Sequence, residues 1–294
     1  MGAEEAILAF GRFMNLFRRL TWLDKRLLVS KLYVQEAEYS HPLLPKEALR
    51  VLFVSDIHAG HYFSRAQEET LSRVIEAADA DLILYGGDFG QKPQDGIAWL
   101  KRQRVQKPRY GSFCVPGNHD RISTEPFERL AAAAAEKGIR ALQNTMASLP
   151  CGIDLFGADD FRTGKPDGDA LRQTAAPGRF GLLLCHNPDA LPDMLPPFYH
   201  LALCGHTHGG QVALFGRAIL SSSIYRSRFL SGWKQLEGAD ILVSNGVGVS
   251  ALPIRIGARP QVNLLTLRQG ETGRRTLRET EAQVWLQKKK RNEH

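Results

Sequence analysis

The chain has 294 residues, room for one large α/β domain or two small ones. Apolar residues make up 43%, which excludes a disordered chain, and no stretch approaches the roughly 20 uninterrupted apolar residues of a membrane span. The net charge of +7 is gathered at the ends rather than in a basic core: residues 1–35 carry six Lys/Arg against three Asp/Glu, and residues 271–294 carry seven against four.

Residues 5–35 are predicted helical, with Phe10, Phe13, Met14, Phe17 and Leu20 on one face and Arg12, Asn15 and Arg19 on the other. Glu4 and Glu5 stand where a secretion signal carries positive charge, which argues against a cleaved signal peptide. His41-Pro42 and Leu44-Pro45 then break the chain. From Arg50 the text changes to short apolar runs, each ending in a polar cluster. Arg50–Ser55 reads as a buried strand running into Asp56, and Leu71, Val74, Ile75 and Ala78 mark a helix. Leu82–Tyr85 is a strand before Gly86-Gly87-Asp88, and Ser112–Val115 leads into Gly117-Asn118-His119-Asp120. A helix is predicted from about Glu125 to Lys137, with Ser123 or Thr124 as N-cap and Gly138 as its stop. The second half repeats the habit. Ile153–Phe156 precedes Asp159-Asp160, Gly181–Cys185 precedes His186, and Leu201–Cys204 precedes Gly205-His206-Thr207-His208-Gly209-Gly210. Val212–Phe215, Ile241–Val243 and Val262–Leu267 are further predicted strands. Strands alternating with helices early, and mostly strands late, suggest α/β layers on two sheets. The polar clusters lie at strand ends, where open α/β sheets assemble their sites. The four cysteines, Cys114, Cys151, Cys185 and Cys204, lack the paired short spacing of a zinc site and fit a reduced, cytoplasmic setting.

The residues at those ends are Asp56 and His58, Asp88, Asn118 and His119, His186, and His206 and His208. Members of the pairs 56/58 and 206/208 are two apart, so on extended backbone both point the same way. Two glycines before Asp88 let the backbone approach whatever its carboxylate binds. Alone, each residue has a bland reading: a hydrogen-bonded structural His, an Asp or Asn in a turn. Five successive strand-end clusters of metal-type ligands are another matter, and mixed oxygen and imidazole donors suit Mn, Fe, Zn or Co rather than Ca.

The segments Asp56-Ile57-His58, Gly87-Asp88, Gly117-Asn118-His119-Asp120, His186 and Gly205-His206-Thr207-His208 resemble, in order and spacing, the five motifs of the calcineurin-like metallophosphoesterase superfamily. Gly209-Gly210-Gln211, Ser244-Asn245-Gly246-Val247-Gly248 and Leu252-Pro253-Ile254-Arg255 are similar to a bacterial phosphodiesterase branch described as YkuE- or YaeI-like. The resemblance covers about Arg50 to Leu267 and leaves both ends outside it. It implies a four-layer α/β/β/α sandwich of two mixed sheets with a dinuclear metal site at the strand ends. One divalent ion would take Asp56, His58, Asp88 and His208; the other would take Asp88, Asn118, His186 and His206. Two ions about 3.5–4 Å apart acidify a bridging water and clamp the phosphate oxygens. His119 would donate a proton to the leaving oxygen, and Asp120 would orient His119. His61, Arg226 and Arg228 are substrate candidates against the plain alternative of solvated loop residues, and Asp159 and Asp160 are supporting or turn residues.

The expected organisation is a helical segment over 1–45, a metallophosphoesterase domain over 46–270 and a basic tail over 271–294. The expected reaction is hydrolysis of a phosphodiester or pyrophosphate. Rival readings are a phosphomonoesterase or protein phosphatase with the same metals, and a silent scaffold of the same fold. Arg121 is the only arginine beside a ligand motif, which favours a diester over a dianionic monoester. An apolar face bearing Phe10, Phe13 and Phe17 opposite arginines resembles an interfacial helix. Anionic membrane is therefore an expected partner, with peripheral docking on the inner membrane face and a lipid-linked substrate such as UDP-2,3-diacylglucosamine. No aromatic-basic platform for nucleic acid is seen.

Overall fold

Runs of Val, Ile, Leu and Phe too short for helices can be buried on both faces only inside layered sheets, and the apolar runs before the polar clusters fold as strands. The computed structural model describes residues 31–292, apart from 123–125, 215–216, 219–221 and 251–252. The first half contains β1 (Tyr33–His41), β2 (Leu49–Val54), α1 (Arg65–Ala77), β3 (Leu82–Tyr85), α2 (Pro93–Arg102), β4 (Ser112–Cys114), α3 (Phe127–Ala135) and β5 (Ile139–Ala141). Next come β6 (Thr145–Ser148), β7 (Ile153–Gly157), α4 (Gly168–Gln173), β8 (Phe180–Leu184) and β9 (Leu201–Cys204). The chain continues with β10 (Ala213–Leu214), β11 (Arg217–Ala218), β12 (Gly232–Leu236), β13 (Ala239–Val243), β14 (Gln261–Gln269), β15 (Gly273–Glu281) and α5 (Ala282–Asn292).

One sheet has the order β15-β1-β14-β2-β3-β4-β5 and the other β12-β13-β9-β8-β7-β6. β2 to β5 run parallel, as do β7, β8, β9 and β13. Antiparallel pairs such as β14–β2, β12–β13 and β6–β7 make both sheets mixed. Alternation along β2 shows the layering: Val51 and Phe53 face the second sheet, where they meet Leu155, Leu182 and Leu203. Leu52 and Val54 face outward against Leu71 and Val74 of α1, Trp99 of α2 and Trp285 of α5. The outer face of the second sheet, with Phe156, Leu183 and Ile241, is covered by Leu171 of α4 and by Leu191 and Met194 of the turn Pro188–Met194. The result is the expected α/β/β/α sandwich. The parallel strands all point one way, so their C-terminal ends gather on one edge.

Three expectations change. The helix predicted over 125–137 spans Phe127–Ala135 and starts at Pro126 without a side-chain cap; Ser123 and Thr124 lie outside the described residues. Gly138, at φ 73°, does end it. The helical segment predicted over 1–45 lies outside the described residues up to 30, and from Tyr33 it is strand β1, not helix. β1 pairs with β14 in parallel and with β15 antiparallel, and it buries Val34, Ala37 and Tyr39. Residues 271–294, read as a tail, instead supply β15 and α5. Arg274 pairs with Asp240 and Arg278 with Glu36, while Ala282 and Trp285 are buried, so carboxylates on β13 and β1 take up part of that basic charge. β1 and β15 therefore complete one side of the first sheet. No helix among the described residues is long and apolar enough to cross a membrane.

Candidate metal centre

The chain leaves β2, β3, β8 and β9 and turns abruptly. Asp56, His58, Asp88, His206 and His208 all have left-handed backbone, with φ of 53°, 46°, 54°, 67° and 52°. Such conformations are uncommon for residues other than glycine and persist where surroundings enforce them. The 56/58 and 206/208 pairs thus converge through sharp turns rather than through the extended backbone their spacing suggests. Neighbouring loops hold them: Asp56 N–H bonds Gly87 O at 3.0 Å, His58 N–H bonds Asp88 O at 3.0 Å, and Gly248 N–H bonds Asp56 O at 2.7 Å. Glycine is needed at 117 and 205, because a Cβ at either would collide with the Asp88 or Asp56 carboxylate.

The side chains form one buried cluster. His58 Nε2 lies 3.1 Å from His208 Nε2 and 3.5 Å from Asp88 Oδ2. His208 Nε2 is 3.5 Å from Asp56 Oδ1. On the other flank, His186 Nε2 is 3.4 Å from Asp88 Oδ2, 3.2 Å from Asn118 Oδ1 and 3.2 Å from His206 Nδ1. Asp56, His58 and His208, and likewise Asp56, Asp88 and His186, each bring one ligand atom within 4.8 Å of the others. This donor set fits divalent transition ions, because imidazole nitrogens and carboxylate oxygens converge. The ring nitrogen His206 Nε2 is also buried without a partner.

Burial pushes Asp56 up to about 6, with the Asp88 charge adding to it. Burial likewise drives His58 down to about 3. His206 falls to about 3 through burial first, then His186, with the Arg162 charge contributing. Burial opposes the charges on Asp88 and His186, but their mutual attraction wins, so Asp88 is held well below the carboxylate range and His186 well above the imidazole range. Neutral His58 and His206 keep lone pairs available to a cation.

His119 stands at the edge of this cluster. Its ring meets His58 edge-on at 4.8 Å, and it forms a third group with His58 and Asp88. The expected Asp120–His119 pairing does not form. His119 Nδ1 lies 3.0 Å from the Gln91 carbonyl oxygen. Asp120, fully buried, instead accepts the N–H groups of Asp88, Phe89 and Gly117 at 2.7, 2.8 and 2.9 Å, and so braces the loops that carry Asp88 and Asn118. A backbone carbonyl leaves no mark in a sequence, which is why Gln91 could not be anticipated.

Arg255 was visible only as part of a motif. It is 3% exposed, donates through Nε to Gly248 O at 2.8 Å and through Nη1 to His208 O at 3.2 Å, and its Nη2 lies 3.0 Å from His208 Nδ1. It therefore braces His208 from behind. The remaining candidates lie outside the cluster. His61 is exposed with its ring against Tyr62 at 4.9 Å. Arg226 and Arg228 are exposed on the turn Arg226–Phe229, with the Arg228 guanidinium over the Phe229 ring. That turn is tied to the site, because Ser222 Oγ donates to His206 O at 3.2 Å and Ser223 Oγ to buried Asp189 at 2.5 Å.

The profile of the calcineurin-like phosphoesterase family matches residues 49–210. Phosphodiesterase YaeI of Escherichia coli (strain K12) is 30% identical over 230 residues, which is 74% of this chain and 82% of that protein. The uncharacterized metallophosphoesterase YkuE of Bacillus subtilis (strain 168) is 29% identical over 229 residues, 76% of this chain and 80% of YkuE. YkoQ of the same organism, also an uncharacterized metallophosphoesterase, is 27% identical over 266 residues, covering 87% of this chain and 95% of YkoQ.

Proposed function

Because this chain belongs to the calcineurin-like phosphoesterase family, we propose that it hydrolyses a phosphodiester or pyrophosphate bond at a centre of two divalent ions. The observation that carries this reading is Asp88: its carboxylate stands between two ligand sets, His58 on one flank and His186 on the other. Asp56, His58, Asp88 and His208 would hold one ion, and Asp88, Asn118, His186 and His206 the second. Drawn from Mn, Fe, Zn or Co, such ions supply positive charge at the phosphate oxygens and acidify a water for attack. His119 gives a proton to the leaving oxygen from its outer nitrogen while the Gln91 carbonyl holds Nδ1. Arg121 is paired with Asp159 and so is not free to neutralise a second phosphate charge, which supports a diester over a monoester. Purified protein with Mn is expected to turn over bis(p-nitrophenyl) phosphate faster than p-nitrophenyl phosphate. The reverse order would establish the phosphomonoesterase reading, and inactivity with all four metals the silent scaffold.

A finer reading is a lipid-linked substrate such as UDP-2,3-diacylglucosamine, reached from an anionic membrane surface. It is supported by the basic charge at the ends and the Phe10, Phe13 and Phe17 pattern, which lies outside the described residues. Position supports it as well. The described chain starts beside the metal centre, since Tyr33 pairs with Gln261, whose N–H bonds Gly246 O, and Gly246 packs against Asp56. Each basic residue near such a surface contributes on the order of 1 kcal/mol, a contribution that fades with salt. Binding to anionic vesicles should weaken as salt rises and disappear when residues 1–30 are deleted, a cut that spares β1, while activity on a small diester persists. Full-length protein that ignores anionic vesicles at low salt would end the membrane reading.

A further inference from the structure

The turn after β3 is gripped from two sides. Ala59 N–H bonds Phe89 O at 3.0 Å and Gln91 N–H returns to Ala59 O at 2.9 Å, which ties the turn to the loop that carries His58. Gly90 lets the turn fold tightly onto the start of α2, where a Cβ would lie 2.3 Å from Gly96 N and 2.5 Å from Lys92 O. A side chain makes the second grip: half-buried Gln91 donates through Nε2 to Val249 O in the loop after β13. That carbonyl is a fixed point. Val249 is 1% exposed, and Gly248 N–H before it bonds Asp56 O at 2.7 Å. Ser250 after it is held by both ends of the Gln211 amide, at 3.0 and 2.9 Å. The Gln91 side chain therefore joins the turn after β3 to a rigid loop, while its main-chain carbonyl meets His119 Nδ1 at 3.0 Å.

A carbonyl oxygen only accepts, so the hydrogen of this contact sits on His119 Nδ1 and the proton for a leaving oxygen is carried by Nε2. Where the Gln91 carbonyl points thus sets both the tautomer of His119 and the plane of its ring. We propose that Gln91 is a positioning residue: its side-chain amide, anchored on Val249, fixes the carbonyl that orients His119 for proton donation. This rests on the phosphodiesterase reading above, in which His119 is the proton donor. As a water oxygen joins phosphorus, the bond to the leaving oxygen breaks, that oxygen keeps the electron pair, and the Nε2 proton neutralises it. Gln91 touches no reacting atom, yet a displacement of about 1 Å at the donor costs on the order of 10²-fold in rate. Glutamine suits the task because its amide donates to a carbonyl, whereas a carboxylate of the same shape would set an acceptor against an acceptor.

The test uses two diesters with one retained group: methyl phenyl phosphate, whose leaving oxygen needs the proton, and methyl p-nitrophenyl phosphate, whose leaving oxygen needs it little. Gln91→Met keeps the volume and Gln91→Glu the shape, and both remove the donor. With Mn, each variant should keep its metal and its KM and lose kcat roughly 10–100-fold on the phenyl ester, with a clearly smaller loss on the nitrophenyl ester. In a His119→Ala background the same changes should cost nothing further, because the group they orient is gone. An equal loss on both esters, or a loss that adds to that of His119→Ala, would make Gln91 a general support of the fold and overturn the proposal, as would full turnover of the phenyl ester. A second readout needs no turnover. In protein labelled with 15N-histidine, the His119 ring, identified by its absence from His119→Ala, should be protonated at Nδ1 in wild type and mixed between the two tautomers in Gln91→Met. An unchanged tautomer overturns the proposal, and Gln91→Glu serves both readouts should Gln91→Met not fold. Should wild type hydrolyse neither diester yet show this change of tautomer, the phosphodiesterase reading fails while the assignment of Gln91 as the residue that orients His119 stands.

Discussion

Replacing Asp88 with alanine is expected to abolish hydrolysis and to lower metal content on both flanks at once. Asp88 is 1% exposed, and its Oδ2 lies 3.5 Å from His58 Nε2 and 3.4 Å from His186 Nε2, so one carboxylate serves both ligand sets. Its other oxygen accepts His119 N–H at 2.7 Å, so the same substitution also releases the turn that carries the proposed proton donor. Truncation leaves His186, held charged mainly by Asp88, without its principal partner in a buried site. Metal analysis of dialysed, folded protein decides the matter. A variant that retained two ions per chain would show that Asp88 does not bridge them. Asp88→Asn separates charge from shape: it preserves an oxygen ligand but removes the negative charge between the flanks, and it should retain metal better than alanine while remaining slow.

The change His119→Ala is expected to keep metal while losing turnover by roughly 10²–10⁴-fold, the range for a positioned acid or base. The contact that His119 makes with Asp88 comes from its backbone N–H and survives the loss of the side chain. The imidazole itself is held through Nδ1 by the Gln91 carbonyl, so the proposed proton would come from its outer nitrogen. The penalty should shrink for p-nitrophenyl esters, whose leaving group needs little protonation, and grow for alkyl esters. An equal loss across leaving groups would refute the acid role. A fall in bound metal would instead make His119 a ligand, an arrangement its grouping with His58 and Asp88 makes geometrically accessible.

The sandwich and the residue types of its site could be read in the sequence. Short apolar runs such as Leu82–Tyr85 and Leu201–Cys204 are too brief for helices and too apolar for one-sided strands, so they had to be buried between layers. Asp56, His58, Asp88, Asn118, His186, His206 and His208 were recognisable because each follows such a run and because imidazole and carboxylate donors carry their chemistry with them. The ends were harder. Residues 271–294 look like a solvated basic tail until Arg274 meets Asp240 of the other sheet and Arg278 meets Glu36 of the neighbouring strand, partners 34 and 242 positions away that only tertiary packing brings together.

Orientation was decided by tertiary structure alone. The left-handed backbone of Asp56 and Asp88 depends on hydrogen bonds from separate loops, which no local propensity encodes. The exchange of roles between Asp120 and Gln91 has the same origin. A carboxylate goes wherever unpaired buried N–H groups gather, and here these are the amides of Asp88, Phe89 and Gly117. Which chemical groups reach the strand ends is a local property of the chain; which of them face one another depends on how distant loops satisfy each other's backbone, and that is settled only when the two sheets pack.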